Sequence, residues 1–195
     1  PNITFQSGVD PADIDHNEND TSVITDIDWT DVDGGSSVTF SISGIDANNF
    51  SINSDGKLSF QNAPNFESPA DSDGNNKYLV TVTATDNGSL TDSETLTIDV
   101  QNINDNPVIT SNGGDNPNDI AYVEGNTSNV TIVTATDEDS NTISFSISGT
   151  DASDFNIDSS TGVLTFVSTP NYDSPIDSDN TYVVIVTATD NGSGL

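Results

Sequence analysis

Oxygen-bearing side chains crowd one short stretch of the chain, residues 102–106, which reads NINDN and is followed by Pro107. Asn and Asp supply the neutral and charged oxygen atoms that a hard cation such as Ca²⁺ prefers, about six to eight at a time. The same residue types are also common in turns and in flexible linkers. Three interpretations therefore stand at this point: a turn, a linker, or part of a cation site.

Acidic residues at the ends of predicted strands could complete such a site. The segment TATDEDSN at 134–141 ends one predicted strand, and its two aspartates lie on one face because side chains of an extended chain alternate. If the strands end at the same edge, carboxylates converge on the linker and repel one another unless a cation is bound. No Cys or His accompanies them, which disfavours zinc. The acidic residues concerned are Glu18, Glu67, Asp137, Asp139 and Asp190.

The elements that would position these side chains belong to two copies of one repeat. FSISGIDANNF at 40–50 returns as FSISGTDASDF at 145–155, and VTATDNGS at 82–89 returns at 186–193. Pro1 aligns with Pro107, so one unit is about 106 residues long. We therefore predict two domains, residues 1–106 with the linker 102–106 at its end, and residues 107–195.

Each unit has the pattern of an all-β domain. Tyr78, Val80, Val82 and Ala84 alternate with outward-facing residues, and short alternating segments recur between turn residues. About seven such strands per hundred residues predict an immunoglobulin-like β-sandwich. Residues 90–106 have no second copy, so we predict that the second sandwich lacks its last strand.

Composition limits the classes of partner. The formal net charge is −30, from 32 acidic and 2 basic residues, and 27 of the acids are Asp. Such a charge disfavours nucleic acid and anionic membrane surfaces. No apolar run is long enough to insert into a membrane, and any export signal is expected to lie outside residues 1–195. No pattern of nucleophile, base or cofactor motif points to an enzyme.

The motifs together resemble the cadherin repeat. The resemblance rests on an acidic residue near the first strand, on NFE at 65–67, on NINDNP at 102–107, on DED at 137–139 and on ATDNG at 188–192, and it covers both units nearly end to end. It implies cadherin-type Greek-key sandwiches and two or three Ca²⁺ ions at the junction. The segment PNFESPADSD at 64–73 makes this chain resemble bacterial cadherin-like repeats more than vertebrate adhesion molecules.

The resemblance also implies a set of calcium ligands. Asn65 and Asn102 stand where the family usually has Asp, which lowers the charge of the outer site. Corresponding residues at the two outer edges form partial half-sites, namely Asp31, Asp33, Asp86, Glu124 and Asp173. The junction ligands implied are Glu18, Glu67, Asn102, Ile103 through its carbonyl, Asn104, Asp105, Asn106, Asp137, Asp139, Asn141 and Asp190.

The function expected from these features is a calcium-rigidified extracellular repeat module of a large bacterial adhesin, matrix or filament protein. Its expected partners are neighbouring repeats or subunits, which could donate the missing last strand. The alternative is a polysaccharide-binding module, or one that contacts another cell surface. Other acidic residues, among them Asp71, Asp73, Asp177 and Asp179, are expected to be solvated turns.

Overall fold

The computed structural model describes residues 1–5, 13–32, 37–111, 119–177 and 179–192. The chain divides into two compact units, residues 1–103 and 104–194. This division lies three residues before the boundary predicted from the repeat, so NINDN is shared between the units. No helix in the described part of the chain has the length and apolar character needed to cross a bilayer.

Unit 1 is a sandwich of two four-stranded sheets. One sheet has the order β1-β3-β6-β5 and the other the order β2-β8-β7-β4. A short 3₁₀ turn, Ala47–Asn49, precedes β5. The strands are β1 Asn2–Phe5, β2 Asp13–Asn17, β3 Val23–Thr30, β4 Val38–Ser43, β5 Phe50–Ile52, β6 Lys57–Phe60, β7 Lys77–Asp86 and β8 Thr91–Gln101.

The alternation of apolar residues in β7 and β8 builds one wall of the unit 1 core. The two strands pair antiparallel, with Tyr78 opposite Ile98 and Val80 opposite Leu96. All four of these side chains are at most 1% exposed. Strand β2 then pairs parallel to the other edge of β8, so β8 holds two neighbours in place and closes the sheet.

Aromatic rings fill the space between the sheets of unit 1. The ring centroids of Phe50 and Phe60 are 4.6 Å apart, and Tyr78 meets Phe60 edge-on at 5.1 Å. Edge-to-face and offset contacts of this kind are favourable beyond the apolar area they bury. The hydroxyl of Tyr78 accepts a hydrogen bond from the N–H of Ala70 at 2.9 Å, so its one polar atom has a partner inside the core.

Unit 2 repeats this plan with shorter strands. Its sheets have the orders β10-β14-β13, β11-β9 and β12-β15. A 3₁₀ turn, Ala152–Asp154, takes the place of the one in unit 1. The strands are β9 Val108–Ile109, β10 Thr131–Ile132, β11 Ala135–Thr136, β12 Ser144–Ser148, β13 Phe155–Ile157, β14 Val163–Phe166 and β15 Ile185–Thr189.

In the described part of unit 2, strand β15 corresponds to β7 and pairs with β12 alone. Tyr182, Val184 and Val186 are consequently half-buried, whereas their counterparts Tyr78, Val80 and Val82 in unit 1 are at most 1% exposed. The core of unit 2 is therefore less completely covered than that of unit 1. The lack of a last strand in this unit stays a prediction.

Candidate metal centre

Glu18 is the most deeply buried acidic side chain near the end of unit 1, at 2% exposed. Its carboxylate accepts hydrogen bonds from the N–H groups of Phe66 and Ile103, both at 2.8 Å. Its own N–H donates to the carbonyl of Gln101 at 3.0 Å. Two backbone donors satisfy the buried charge in part, and they fix the start of the linker against the loop that carries Glu67.

Glu67 places a second carboxylate beside Glu18. One carboxylate oxygen of each residue lies within 4.8 Å of the other. Two like charges at this separation repel unless a positive charge lies between or beside them. Unit 1 therefore brings together the two glutamates that the sequence predicts as ligands, and it presents them where the chain enters NINDN.

Unit 2 gathers the predicted aspartates around the linker residues that belong to it. The N–H of Asp105 donates to Asp139 Oδ2 at 2.6 Å. The amide of Asn104 donates to Asp190 Oδ1 at 3.1 Å, and the amide of Asn141 donates to Asn104 Oδ1 at 2.7 Å. The residues that follow β11 and β15 thus contact the linker, as expected if the two strands end at the same edge.

Asp137 shows that the oxygens in unit 2 fit a hard cation. Its Oδ1 accepts the N–H of Asn141 at 2.9 Å, but its Oδ2 is buried and has no hydrogen-bond partner among the described residues. A buried, unpaired carboxylate oxygen is costly unless a cation or water binds it. The other atoms in this part of unit 2 that could bind a metal are carboxylate and amide oxygens, which suit Ca²⁺ rather than a soft metal.

The remaining predicted linker ligands are less buried. Asn102 and Ile103 are half-buried in unit 1, and Asn106 is exposed at the far end of NINDN in unit 2. Their assignment as ligands stays a prediction.

The partial half-site of unit 1 brings two carboxylates to one place. Asp31 Oδ2 and Asp86 Oδ2 lie 3.3 and 3.8 Å from the nitrogen of Pro1. These aspartates correspond to Asp137 and Asp190 of unit 2. Asp33 lies outside the described residues.

In unit 2, the other half-site is exposed. Glu124 accepts the N–H of Tyr172 at 2.7 Å, which repeats the bond that Glu18 accepts from Phe66. Asp173, the counterpart of Glu67, is exposed. The backbone arrangement of this half-site is therefore formed, although its two acids are more exposed than those of unit 1.

The expectation that Asp71 is a solvated turn residue was wrong. Asp71 is 8% exposed and accepts the N–H groups of Asn75 and Asn76 at 2.9 and 3.3 Å. Burial raises the pKa of Asp71, but these donors and a hydrogen bond shared with Asp73 outweigh it and lower the pKa overall. The hydrogen bond with Asp71 raises the pKa of Asp73. Asp73, by contrast, is exposed as expected.

Asp46 was missed altogether by the sequence analysis. It is 3% exposed and accepts the N–H groups of Ser72 and Leu79, both at 2.8 Å. The recurrence of SISGID at 41–46 as SISGTD at 146–151 was the available signal. Asp151 likewise accepts the N–H of Val183 at 2.6 Å. Both aspartates hold the long loop against the strand that follows it.

Solved structures with the same architecture are cadherin extracellular repeats. A fragment of Drosophila N-cadherin, EC1-4, superposes with a TM-score of 0.51 at 25% identity, over 98% of this chain and 46% of that one. Human Protocadherin-24 EC1-2 gives 0.51 at 18% identity, over 86% and 80% of the two chains. The human Desmocollin-1 ectodomain gives 0.53 at 17% identity, over 99% and 39%.

The fold is cadherin-like. The chain spans less than half of the N-cadherin and Desmocollin-1 structures that it resembles. No protein-family model and no curated protein matches the sequence. The cadherin-like repeats are therefore established here by architecture, and the chemistry of the junction has to be argued from this chain's own residues.

Proposed function

We propose that the chain is an extracellular, adhesion-type repeat module whose inter-repeat junction is stiffened by calcium. The observation that carries the proposal is Asp137 Oδ2, a buried carboxylate oxygen without a hydrogen-bond partner among the described residues. In the same unit, Asp139 and Asp190 accept hydrogen bonds from the linker residues Asp105 and Asn104. Glu18 and Glu67 supply a second acidic pair at the end of unit 1.

The proposed role of the ligands is mechanical. Bound calcium would neutralise carboxylates that otherwise repel one another. Glu18 and Glu67 of unit 1 and Asp137, Asp139 and Asp190 of unit 2 would then bind ions through one shared linker, NINDN. A hinge whose two sides bind the same ions has fewer accessible conformations, so the tandem repeats would behave as a stiffer rod.

The parent protein proposed from this role is a large secreted or surface protein of the bacterial adhesin, matrix or filament type. The cadherin-like fold favours neighbouring repeats or subunits, rather than polysaccharide, as the partners of this chain. The charge of −30 suits a saline, calcium-containing medium outside the cell.

The first test compares the chain in millimolar CaCl₂ with the chain in chelator. We expect calcium to raise the melting temperature, because a ligand that binds only the folded state stabilises it by about 2.7 kcal/mol at a hundredfold excess over Kd. Small-angle scattering should show a longer, less variable particle with calcium. Equal melting temperatures and equal scattering in the two buffers would refute the proposal.

A matched pair of variants assigns the effect to the junction. Asp137→Asn removes the charge of the unpaired carboxylate and should abolish most of the calcium-dependent rise in melting temperature. Asp31→Asn makes the same change at the corresponding position of unit 1, away from NINDN, and should leave that rise nearly intact. An Asp137→Asn variant with the full calcium response would show that the ion binds elsewhere.

A further inference from the structure

The segment VTATDNGS occurs once in each unit, and each copy carries an Asn-Gly pair, Asn87-Gly88 in unit 1 and Asn191-Gly192 in unit 2. Asn followed by Gly is prone to spontaneous deamidation, because glycine has no side chain to shield its backbone nitrogen from the amide carbon of the Asn. Since the two pairs have the same neighbours in sequence, a difference in their reactivity has to come from the fold.

The Asn-Gly pair of unit 1 is open. Asn87 lies at the tip of the turn between β7 and β8, where it is exposed, and its side chain makes no hydrogen bond to any described residue. The backbone on either side is fixed, because the N–H of Ser89 donates to the carbonyl of Asp86 at 3.1 Å and the N–H of Asp86 donates to that of Leu90 at 3.0 Å. The side chain of Asn87 is therefore free to turn toward the nitrogen of Gly88.

The Asn-Gly pair of unit 2 is held. Asn191 Oδ1 accepts the N–H of Thr142 at 2.9 Å, which ties the side chain to the segment that precedes β12. The side chains of Asn104 and Asn141 fill the space beside Gly192, where a Cβ would overlap them. Closing a ring between Asn191 and Gly192 would have to break this hydrogen bond and displace these two side chains.

One further contact is common to both turns. Gly88 and Gly192 each donate the N–H to Oδ1 of an aspartate two residues earlier, at 2.8 Å to Asp86 and at 2.7 Å to Asp190. Because this hydrogen bond is the same in the two units, it does not distinguish them. The freedom of the Asn side chain and the space beside the glycine are what differ.

We propose that Asn87 is a site of spontaneous deamidation and that the fold protects Asn191 from the same reaction. The backbone nitrogen of Gly88 forms a bond to Cγ of Asn87 and loses its proton to water, while the Cγ–Nδ2 bond breaks and Nδ2 takes up a proton and leaves as ammonia. Water then opens the succinimide ring to give Asp or isoaspartate. Nothing is oxidised or reduced, and water is the only reactant added.

The product changes the acidic half-site of unit 1. It adds a carboxylate next in sequence to Asp86, which the fold brings together with Asp31. Isoaspartate also lengthens the backbone by one methylene group inside the turn that Asp86 and Leu90 close. The half-site of unit 1 would thus become more acidic as the chain ages. Because the reacting turn lies wholly within unit 1, this inference does not depend on calcium at the junction.

The test is incubation of the whole folded chain at mildly alkaline pH, with peptide mapping by mass spectrometry at intervals. We expect Asn87 to convert to Asp and isoaspartate several-fold faster than Asn191. In denaturant the two residues should convert at the same rate, because only their shared sequence then acts. A third Asn-Gly pair, at 112–113, lies outside the described residues, and the map scores it separately.

Two variants assign the reaction to the turn of unit 1. Gly88→Ala should slow the conversion of Asn87, because the added Cβ shields the attacking nitrogen, and should leave Asn191 unchanged. Asn87→Gln should leave this turn unmodified, since its longer side chain closes a larger ring slowly. Melting temperatures establish that both variants are folded. Equal conversion of Asn87 and Asn191 in the folded chain, or an Asn87 that converts only in denaturant, would overturn the proposal.

Discussion

Gly192 lies where the loop after β15 passes the linker inside unit 2. A Cβ built on Gly192 would overlap the side chains of Asn104 and Asn141. Its N–H donates to Asp190 Oδ1 at 2.7 Å, so the residue also helps to orient one of the predicted ligands. Gly88 makes the same turn in unit 1 with its N–H on Asp86 Oδ1. Among the described residues, only Asp86 lies within 4 Å of a Cβ built on Gly88.

Gly192→Ala should therefore destabilise unit 2, while Gly88→Ala should not have a comparable effect on unit 1. The added methyl group of Gly192→Ala must displace Asn104 or Asn141, and overpacking of this kind costs about 1–3 kcal/mol. At Gly88 the nearest atom to the new Cβ is Asp86 Oδ1 at 3.3 Å, which a small rotation relieves. Hydrogen exchange of each unit would measure the difference, and equal losses would contradict the packing described.

The two sandwiches place identical residues in different environments, because β8 covers β7 in unit 1, whereas β15 pairs with β12 alone in the described part of unit 2. Val82 in β7 and Val186 in β15 occupy the same position of the repeat. Val82 is fully buried, whereas Val186 is half-buried. The stability that a valine contributes depends on the apolar area it removes from water. The same valine therefore contributes more in β7, which is covered by β8, than in β15.

Val82→Ala should cost on the order of 2 kcal/mol, from lost burial and the cavity left behind. Val186→Ala should cost less than half as much, because part of its side chain already contacts water. Trp29, the single Trp, lies in β3 of unit 1, so its fluorescence during denaturant unfolding reports on unit 1 alone. Far-UV circular dichroism follows the unfolding of both units. If Val82→Ala and Val186→Ala cost the same free energy of unfolding, the edge of β15 is covered in solution.

A peptide with the sequence of β8, TDSETLTIDVQ, should bind the edge of β15 and stabilise unit 2. In unit 1 this strand forms nine registered pairs with β7 and buries Leu96, Ile98 and Val100. The matched control peptide carries Leu96→Asp and Ile98→Asp, which removes the apolar side of the strand. Calorimetry should show a higher melting temperature for unit 2 with the first peptide and no shift with the control.

At the scale of the whole molecule, the dominant force beyond the two cores is self-repulsion. The chain carries 32 acidic and 2 basic residues, and the two Lys side chains already pair with Asp26 and Asp99. Few other cations are available within the chain to offset the remaining charge. Mobile ions in solution must therefore screen most of it.

Added NaCl should consequently raise the free energy of unfolding in the presence of chelator. Screening shortens the range of repulsion from about 10 Å at 0.1 M to about 3 Å at 1 M salt, and the compact state gains most because its charges are closest together. Melting temperature against NaCl concentration is the measurement. At fixed high NaCl, a further small rise in melting temperature on adding millimolar CaCl₂ would separate specific calcium binding from screening. A melting temperature that falls as NaCl is added would contradict this account.

The sequence by itself determined the features that recur or alternate. Two copies of one repeat and the inward residues of β7 follow from periodicity, because a strand alternates with period two and a duplicated domain repeats its pattern. The meeting of Asn104 and Asp105 with Asp190 and Asp139 was likewise predictable, since each ends or follows a strand.

Only the tertiary structure decided which aspartates are buried and which side chains form one surface. Asp71 and Asp46 look like any other turn residue in a chain with 27 Asp, because burial depends on the loop that folds over them. Thr39, Thr85 and Thr91 share one row on the sheet only because of the register of three strands, and a shift of one residue would turn their hydroxyls toward the core. Register and loop packing are set by contacts between distant segments, which local patterns do not encode.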